Sequence, residues 1–264
     1  MKEYFVIGNP IEHSLSPELH NYWLKRNNID ASYGKEKLNK DQLEKFFHRI
    51  KNKEINGANI TVPFKKAVIP YLDKLSIESE RTQSVNTVYL SDNKIIGHNT
   101  DINGFELAIK GSGFDVKNKK ILIFGAGGVV PSIVYALNRM KAFEVTICNR
   151  TKNKAESIKK LFNDVIVINW GEVFDFDMII NATSIGLKKG DKFDLDLSKF
   201  RNSNFFYDII YNPSETHFLK DAKNLGKKTE NGKKMFIHQA AQAFKIWHGI
   251  QPDIDDSVNK IIDK

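Results

Sequence analysis

The sequence predicts an α/β protein built around a dinucleotide-binding βαβ unit. Two observations carry that prediction. Residues 120–151 read as strand, glycine turn, helix and second strand in unbroken order: Ile121-Leu122-Ile123-Phe124, Gly125-Ala126-Gly127-Gly128, a helix over 129–140, then a strand over Glu144–Cys148. On both sides of this stretch, short apolar runs alternate with helical periodicities. The length of 264 residues and a hydrophobic content of 41% allow two domains and a sizeable core.

Gly125 permits the tight turn out of the strand, and Gly127 and Gly128 carry no side chain that would hold a pyrophosphate away from the backbone. The helix then begins with free N–H groups aimed at the anion. A third glycine of the G-x-G-x-x-G pattern would fall at Val130. About twenty residues beyond the glycines a carboxylate would accept the ribose 2′-hydroxyl of NAD. Asn149, Arg150 and Thr151 stand there instead. A guanidinium forms charge-assisted hydrogen bonds to a 2′-phosphate, each worth about 1.5–3 kcal/mol, where a carboxylate would repel it. The chain therefore asks for NADP, with Lys154 as a further cation. Without the glycines, Arg150 would read as a solvated charge at a strand end.

Composition excludes several classes. No run of about eighteen apolar residues exists, and Met1-Lys2-Glu3-Tyr4 enters a strand without the apolar stretch of a signal peptide. The expectation is a cytoplasmic protein with no membrane partner. Cys148, the single cysteine, lies in the second strand of the nucleotide unit and reads as a small buried residue. The net charge is +8, but 40 lysines and arginines are interspersed with 32 acidic residues and form no basic stripe with aromatics. Nucleic acid is not expected; a lysine-rich surface attracts anionic small molecules. Seven histidines without HxxxH or HxH spacing indicate no metal site.

In chain order, residues 4–7 form a strand that opens at Gly8-Asn9-Pro10. Pro17 suits the first turn of a helix with Ser16 as N-cap and Leu19, Trp23 and Leu24 on its buried face. Ser14 and Ser16 are then either turn and capping residues or, with the helix N-terminus, a carboxylate site, and position alone does not choose. A strand at 31–35 leads to an amphipathic helix over 41–50. Asn59, Thr61 and Val62 alternate about Ile60 as a strand, which Pro63 ends by starting a helix. Lys65 would stand in its first turn, where the macrodipole disfavours a cation and depresses its pKa, as proton-transfer lysines need.

A helical segment over 77–83 precedes a hairpin of residues 84–90 and 94–97 across Asp92-Asn93. Taken singly, Asp101 is the N-cap of a helix through Phe105, Leu107 and Ile109 that crosses between domains and closes at Gly111-Ser112-Gly113. Strands at 165–168 and 178–180 continue the nucleotide domain. The second ends in Asn181-Ala182-Thr183-Ser184-Ile185-Gly186, a loop at a carboxyl strand end, where open α/β sheets bind ligands. A strand at 205–210, Tyr211-Asn212-Pro213, and helices over 214–225, 235–247 and 252–262 complete the chain.

Ser14-Leu15-Ser16-Pro17, Asn59-Ile60-Thr61-Val62-Pro63-Phe64-Lys65, Val85-Asn86-Thr87, Asn99-Thr100-Asp101, the glycine loop, Asn149-Arg150-Thr151, Asn181-Ala182-Thr183-Ser184, Tyr207-Asp208 with Tyr211, and Gln239-Ala240-Ala241 follow one another. With these motifs in this order, residues 8–252 resemble the shikimate dehydrogenase family. The resemblance implies a two-domain enzyme with its site in the cleft. One domain is an α/β substrate domain, 1–102, completed by the C-terminal helices, 233–264; the other is a Rossmann-type NADP-binding domain, 103–232. It implies reversible reduction of 3-dehydroshikimate to shikimate by NADPH, a step of aromatic amino acid biosynthesis. By matching positions, Ser14 and Ser16 would hold the substrate carboxylate. Asn59, Thr61, Asn86, Asp101 and Gln239 would bind ring hydroxyls with Tyr211 nearby, and Lys65 and Asp101 would be the catalytic pair. The cofactor would lie against Gly125, Ala126, Gly127, Gly128, Asn149, Arg150, Thr151, Lys154, Thr183, Ser184, Gly232 and Met235.

A hydride delivered to a ketone leaves an alkoxide, so a proton-donating cation is needed where that charge develops, and a carboxylate can orient it. The chain departs from the family's pattern at Ile102, where glycine usually follows the aspartate, at Val129-Val130-Pro131, and at Lys234, in place of a glycine expected near the nicotinamide. Two other readings stand beside the first. One is a quinate/shikimate dehydrogenase with broader substrate or NAD use, and Arg150 argues against NAD. The other is a non-catalytic NADPH-binding sensor, which would need neither Lys65 nor Asp101. A small-molecule substrate and a monomer or homodimer are expected.

Overall fold

Strands buried on both faces need covering layers on both sides, and the strand sequences of this protein are of that kind. The structure, a computed structural model, describes residues 1–188 and 190–263. It divides into two compact units, Met1–Asp101 with Gln239–Lys264, and Ile102–His238.

The first unit contains β1 (Lys2–Gly8), α1 (Ser16–Arg26), β2 (Ala31–Lys37), α2 (Leu43–Lys51), β3 (Gly57–Ile60), β4 (Lys74–Leu75), α3 (Ile77–Thr82), β5 (Thr87–Ser91) and β6 (Lys94–His98). Its sheet runs β2-β1-β3-β5-β6-β4. β1 lies parallel to β2 and β3, and β5 antiparallel to β3 and β6. The β5–β6 hairpin turns at Asp92 and Asn93, whose φ values of 50° and 56° are those a two-residue turn needs to match strand twist. Side chains alternate across a strand, so Ile7, Ala58 and Ile60 pack on Leu43, Phe46 and Ile50 of α2, while Tyr4 and Tyr33 turn to the other face.

The second unit follows α4 (Asp101–Ser112) with β7 (Lys120–Phe124), α5 (Val130–Arg139), β8 (Glu144–Cys148), α6 (Lys152–Lys159), β9 (Ile166–Ile168), β10 (Met178–Asn181), β11 (Phe205–Asp208), α7 (His217–Asn224), β12 (Lys228–Glu230) and α8 (Lys233–His248). All six strands are parallel, in the order β12-β11-β10-β7-β8-β9. This is the doubly wound order, with its switch point between β7 and β10. Val130, at the place of the third glycine, is fully buried in the core on one face of this sheet.

The end of α8 and α9 (Asp256–Ile262) belong to the first unit. There Trp247 Nε1 donates to the Val88 carbonyl at 3.2 Å. A Cβ on Gly57 would come within 2.7 Å of that nitrogen and 2.8 Å of that carbonyl, so only glycine lets α8 lie so close to β3. Trp23 Nε1 donates to the Asp253 carbonyl at 2.9 Å. No helix among the described residues is long and apolar enough to cross a membrane.

Several local expectations need correction. Pro63 starts no helix: residues 62–63 and 65–68 are turns, followed by a 3₁₀ turn over Ile69–Tyr71. The Lys65 carbonyl accepts the Val85 N–H at 2.9 Å, and Pro70 has no N–H for the Lys66 carbonyl, so a helical ladder cannot form. The N-cap of α1 is Leu15, with Ser16 its first helical residue. Asp101 is the first residue of α4, not its cap. The last helix begins only at Asp256, where Asp255 Oδ1 accepts the Ser257 and Val258 N–H groups at 3.0 and 3.1 Å.

Candidate active site

Asp101 is only 5% exposed, and its two oxygens have different partners. Oδ2 accepts from Lys65 Nζ at 2.5 Å and Oδ1 from Asn86 Nδ2 at 2.9 Å. The Lys65 turn is fixed from behind by the Val85 bond, and Asp101 is fixed through its N–H, which donates to Asn99 Oδ1 at 3.1 Å. The helix expected to begin at Pro63 and carry Lys65 in its first turn is therefore absent, and the carboxylate of Asp101, the first residue of α4, stands beside the ammonium. The ammonium has three N–H bonds, and Asp101 occupies one.

Asn86 is 2% exposed and orders the polar residues around the pair. Its Nδ2 also donates to Thr100 Oγ1 at 2.9 Å and reaches Gln239 Oε1 at 3.5 Å, while its Oδ1 accepts the Thr100 N–H at 2.7 Å. Asn59 Nδ2 donates to the Asn86 carbonyl and to Thr87 Oγ1, both at 3.1 Å. Asn59 Oδ1 accepts from the Tyr33 hydroxyl at 2.7 Å, and Ser16 is that hydroxyl's second polar neighbour. Burial pushes Tyr33 well above the usual phenol range. Ser14 Oγ accepts the Ser16 N–H at 3.3 Å. Thr61 closes the strand end, its Cγ2 only 2.5 Å from where a Cβ on Gly8 would sit.

The first unit thus joins Lys65, Asp101, Asn86, Asn59, Gln239 and Ser16 through short polar links. Tyr211 lies in the second unit, its ring stacked on Phe236 at 4.4 Å. Sequence reasoning gave no role to Tyr33, Thr87 or Thr100. An inward polar residue on a strand could have marked Tyr33; the two threonines, beside motif residues, carry no signal of their own.

In the second unit the predicted ligand loops meet at the switch point. Gly125 has φ +114°, and a Cβ on it would lie 2.6 Å from the Ala182 carbonyl oxygen, so the glycine turn and the loop after β10 touch backbone to backbone. A Cβ on Gly127 would meet nothing within 4 Å, which leaves room for a phosphate. Ala126 is half-buried and Gly128 exposed beside it. Thr183 is anchored by Asn181 Oδ1, which accepts its N–H at 3.0 Å and its hydroxyl at 2.8 Å, and Ser184 is exposed next to it.

Beyond β8, Asn149 Nδ2 donates to the Thr151 carbonyl at 2.8 Å, a turn that leaves Arg150, Thr151 and Lys154 exposed. Residues 149–154 contain three cations and no acid. Open glycine space plus an acid-free basic turn fits a dinucleotide with an additional phosphate. Gly232 is needed where it stands, since a Cβ there would be 2.0 Å from the Ile209 carbonyl oxygen. Met235 is buried in the core of this unit. Lys234 Nζ pairs with Glu230 Oε2 at 3.1 Å. Burial pushes the Cys148 thiol up to about 11, which keeps it inert. No cluster of three or more His, Cys, Asp or Glu among the described residues could hold a metal ion.

Three family descriptions match the chain: "Shikimate dehydrogenase substrate binding domain" over residues 6–88, "Shikimate / quinate 5-dehydrogenase" over 106–209, and "Shikimate 5'-dehydrogenase C-terminal domain" over 234–256. A shikimate dehydrogenase (NADP(+)) of Pelagibacter ubique is 54% identical over 262 residues, covering 99% of each chain. One from Caldicellulosiruptor bescii is 40% identical over 260 residues, 95% of this chain and 90% of its own. The crystal structure of shikimate 5-dehydrogenase from Thermus thermophilus, in complex with NADP(H) and shikimate, superposes with a TM-score of 0.90. It is 30% identical, over 99% of this chain and 98% of that one.

Proposed function

The chain belongs to the shikimate dehydrogenase family, and from that premise we propose that it catalyses the reversible NADPH-dependent reduction of 3-dehydroshikimate to shikimate, with Lys65 and Asp101 as the catalytic pair. The observation that carries the assignment is the buried ion pair: an ammonium 2.5 Å from a carboxylate, with side chains 11% and 7% exposed, in a shell of amides. Residues 1–102 with 233–264 carry most of the substrate contacts and 103–232 most of the cofactor contacts, a division that the two compact units support except at Ile102 and over 233–238, which belong to the second unit.

When bound, NADPH supplies the hydride that reduces the ketone carbon. Lys65 donates a hydrogen bond to the ketone oxygen, which strengthens as negative charge builds there, and then gives up the proton that completes the alcohol. Asp101 keeps the ammonium aimed. Asn86, itself fixed by Thr100, keeps Asp101 from turning away. Ser14 and Ser16 bind the substrate carboxylate; Asn59, Thr61, Asn86, Gln239 and Tyr211 bind its hydroxyls. The glycine turn, Thr183, Ser184, Gly232 and Met235 seat the cofactor, and Asn149, Arg150, Thr151 and Lys154 its 2′-phosphate. The protein is cytoplasmic, acts as a monomer or homodimer on a small molecule, and binds no nucleic acid.

The test offers shikimate and quinate with NADP and NAD in all four pairings, following the absorbance of the reduced nicotinamide. Shikimate with NADP should dominate. Equal rates with quinate or NAD would instead support a broader quinate/shikimate dehydrogenase, and no rate in any pairing would sink the enzymatic assignment. A non-catalytic sensor finds no support in the comparisons.

A further inference from the structure

A fully buried carboxylate outside the chemistry above stands at the end of β11. Asp208 is 0% exposed, and three donors converge on it. Asn181 Nδ2 at 3.0 Å and the Thr216 hydroxyl at 2.7 Å donate to Oδ2; the Ile210 N–H donates to Oδ1 at 2.9 Å. Burying an ionisable carboxyl is unfavourable, and it pushes Asp208 up to about 6 against the pull of these bonds.

Each of the three bonds leads elsewhere. Asn181 grips Thr183 through both its N–H and its hydroxyl, and the Thr183 hydroxyl in turn accepts the Ile185 N–H at 3.0 Å. The Ile210 carbonyl accepts the Gly232 N–H at 3.0 Å, so the turn before Tyr211 and the entry to α8 move as one. Thr216 caps α7. All three neighbours present hydrogens, which a carboxylate accepts together and a neutral amide at the same place cannot.

We propose that Asp208 is a positioning residue for the cofactor: through Asn181 it sets Thr183, and through Ile210 it sets the turn before Tyr211 and the entry to α8 at Gly232. The inference rests on the assignment of Thr183 and Gly232 to the NADPH site. It predicts that breaking the Asp208–Asn181 link weakens cofactor binding by the folded protein, whereas breaking the Thr216 cap only lowers stability.

The experiment titrates NADPH by fluorescence and measures thermal midpoints for the full-length protein and for Asp208→Asn, Asn181→Leu and Thr216→Val. Asp208→Asn and Asn181→Leu should each raise the NADPH Kd by about fivefold or more, since a buried donor or acceptor loses its partner. Thr216→Val removes the cap and one bond to the carboxylate but neither link toward Thr183 or Gly232, so it should lower the midpoint with Kd within about twofold of wild type. Asn181→Leu removes the grip on Thr183 together with the Asp208 link, so it reads whether the placement of Thr183 matters to the cofactor. If Asp208→Asn does not fold, Asp208→Ser, which leaves both bonds from Thr183 to Asn181 in place, decides. Either variant folding with a lower midpoint and a wild-type Kd would make Asp208 a stabilising group only. A wild-type protein that does not bind NADPH is a separate outcome, and it overturns the functional assignment itself.

Discussion

Lys65 is set up by its neighbours, since it stands in no helix of its own and its ammonium is held by Asp101, the first residue of α4, which Asn86 holds in turn. In the proposed mechanism, removing the ammonium would leave the growing oxyanion without its proton donor. Lys65→Ala should lower kcat by about 10²–10⁴-fold, the usual range for a positioned acid, with the NADPH Kd nearly unchanged. A matching loss of NADPH affinity in a titration would place Lys65 on the cofactor instead. Arg150 is exposed at the end of β8 in a turn free of acidic residues. Arg150→Ala should raise the KM for NADP by about ten- to a hundredfold, one or two charge-assisted hydrogen bonds' worth, and change that for NAD little. Steady-state kinetics with both nucleotides reads the ratio directly.

At the level of elements, Gly232 shows how close backbones dictate a residue. The Ile209 carbonyl leaves no space for a Cβ, and backbone cannot swing aside as a side chain can. Gly232→Ala should destabilise the protein by about 3 kcal/mol or more, seen as a drop in the denaturation midpoint. The nucleotide unit was legible because local signals agree there: a glycine turn between a strand and a helix, then β8 with the predicted bounds. The Asp92-Asn93 hairpin was legible for the same reason. The chain around Lys65 was not, because its conformation is set by Val85, twenty residues away, and by Pro70. β4 and β12 were missed because Lys74-Leu75 and Lys228-Thr229-Glu230 have no apolar pattern; neighbouring strands make them edges. The order of motifs pointed to Lys65, Asp101, Asn86 and Ser16, but the links through Tyr33 and Thr100 join residues far apart in the chain.

For the whole molecule, buried titratable groups set how stability follows pH. His20 is stacked on Tyr33 at 4.2 Å with neither ring nitrogen hydrogen-bonded. Burial first, then the charge of His248, lowers it to about 3, and burial followed by Lys2 lowers His248 to about 4. A histidine with a depressed native pKa stabilises above its unfolded value near 6.5 and loses that contribution as pH falls toward the native value. Asp208 acts oppositely: raised from 3.8 to about 6, its contribution is full below the lower value and is lost as pH rises through the upper one. Two histidines outweigh one aspartate, so stability should fall on acidification from pH 6.5 to 4. His20→Phe should reduce that slope by about 1.4 kcal/mol per pH unit, one proton's worth, in denaturant titrations across the range. An unchanged slope would mean that His20 is protonated in the native state.

The packing of Trp247 against Gly57 and Val88 also bears on how the polypeptide matures. During synthesis the ribosome delivers Ile102–His238 as one uninterrupted stretch, able to fold as soon as it emerges. The earlier sheet must wait, with the face around Gly57 uncovered, until the segment carrying Trp247 has left the exit tunnel. A nascent chain stalled before that point should show a protease-resistant middle and a digestible beginning, the reverse of the order in which they were translated.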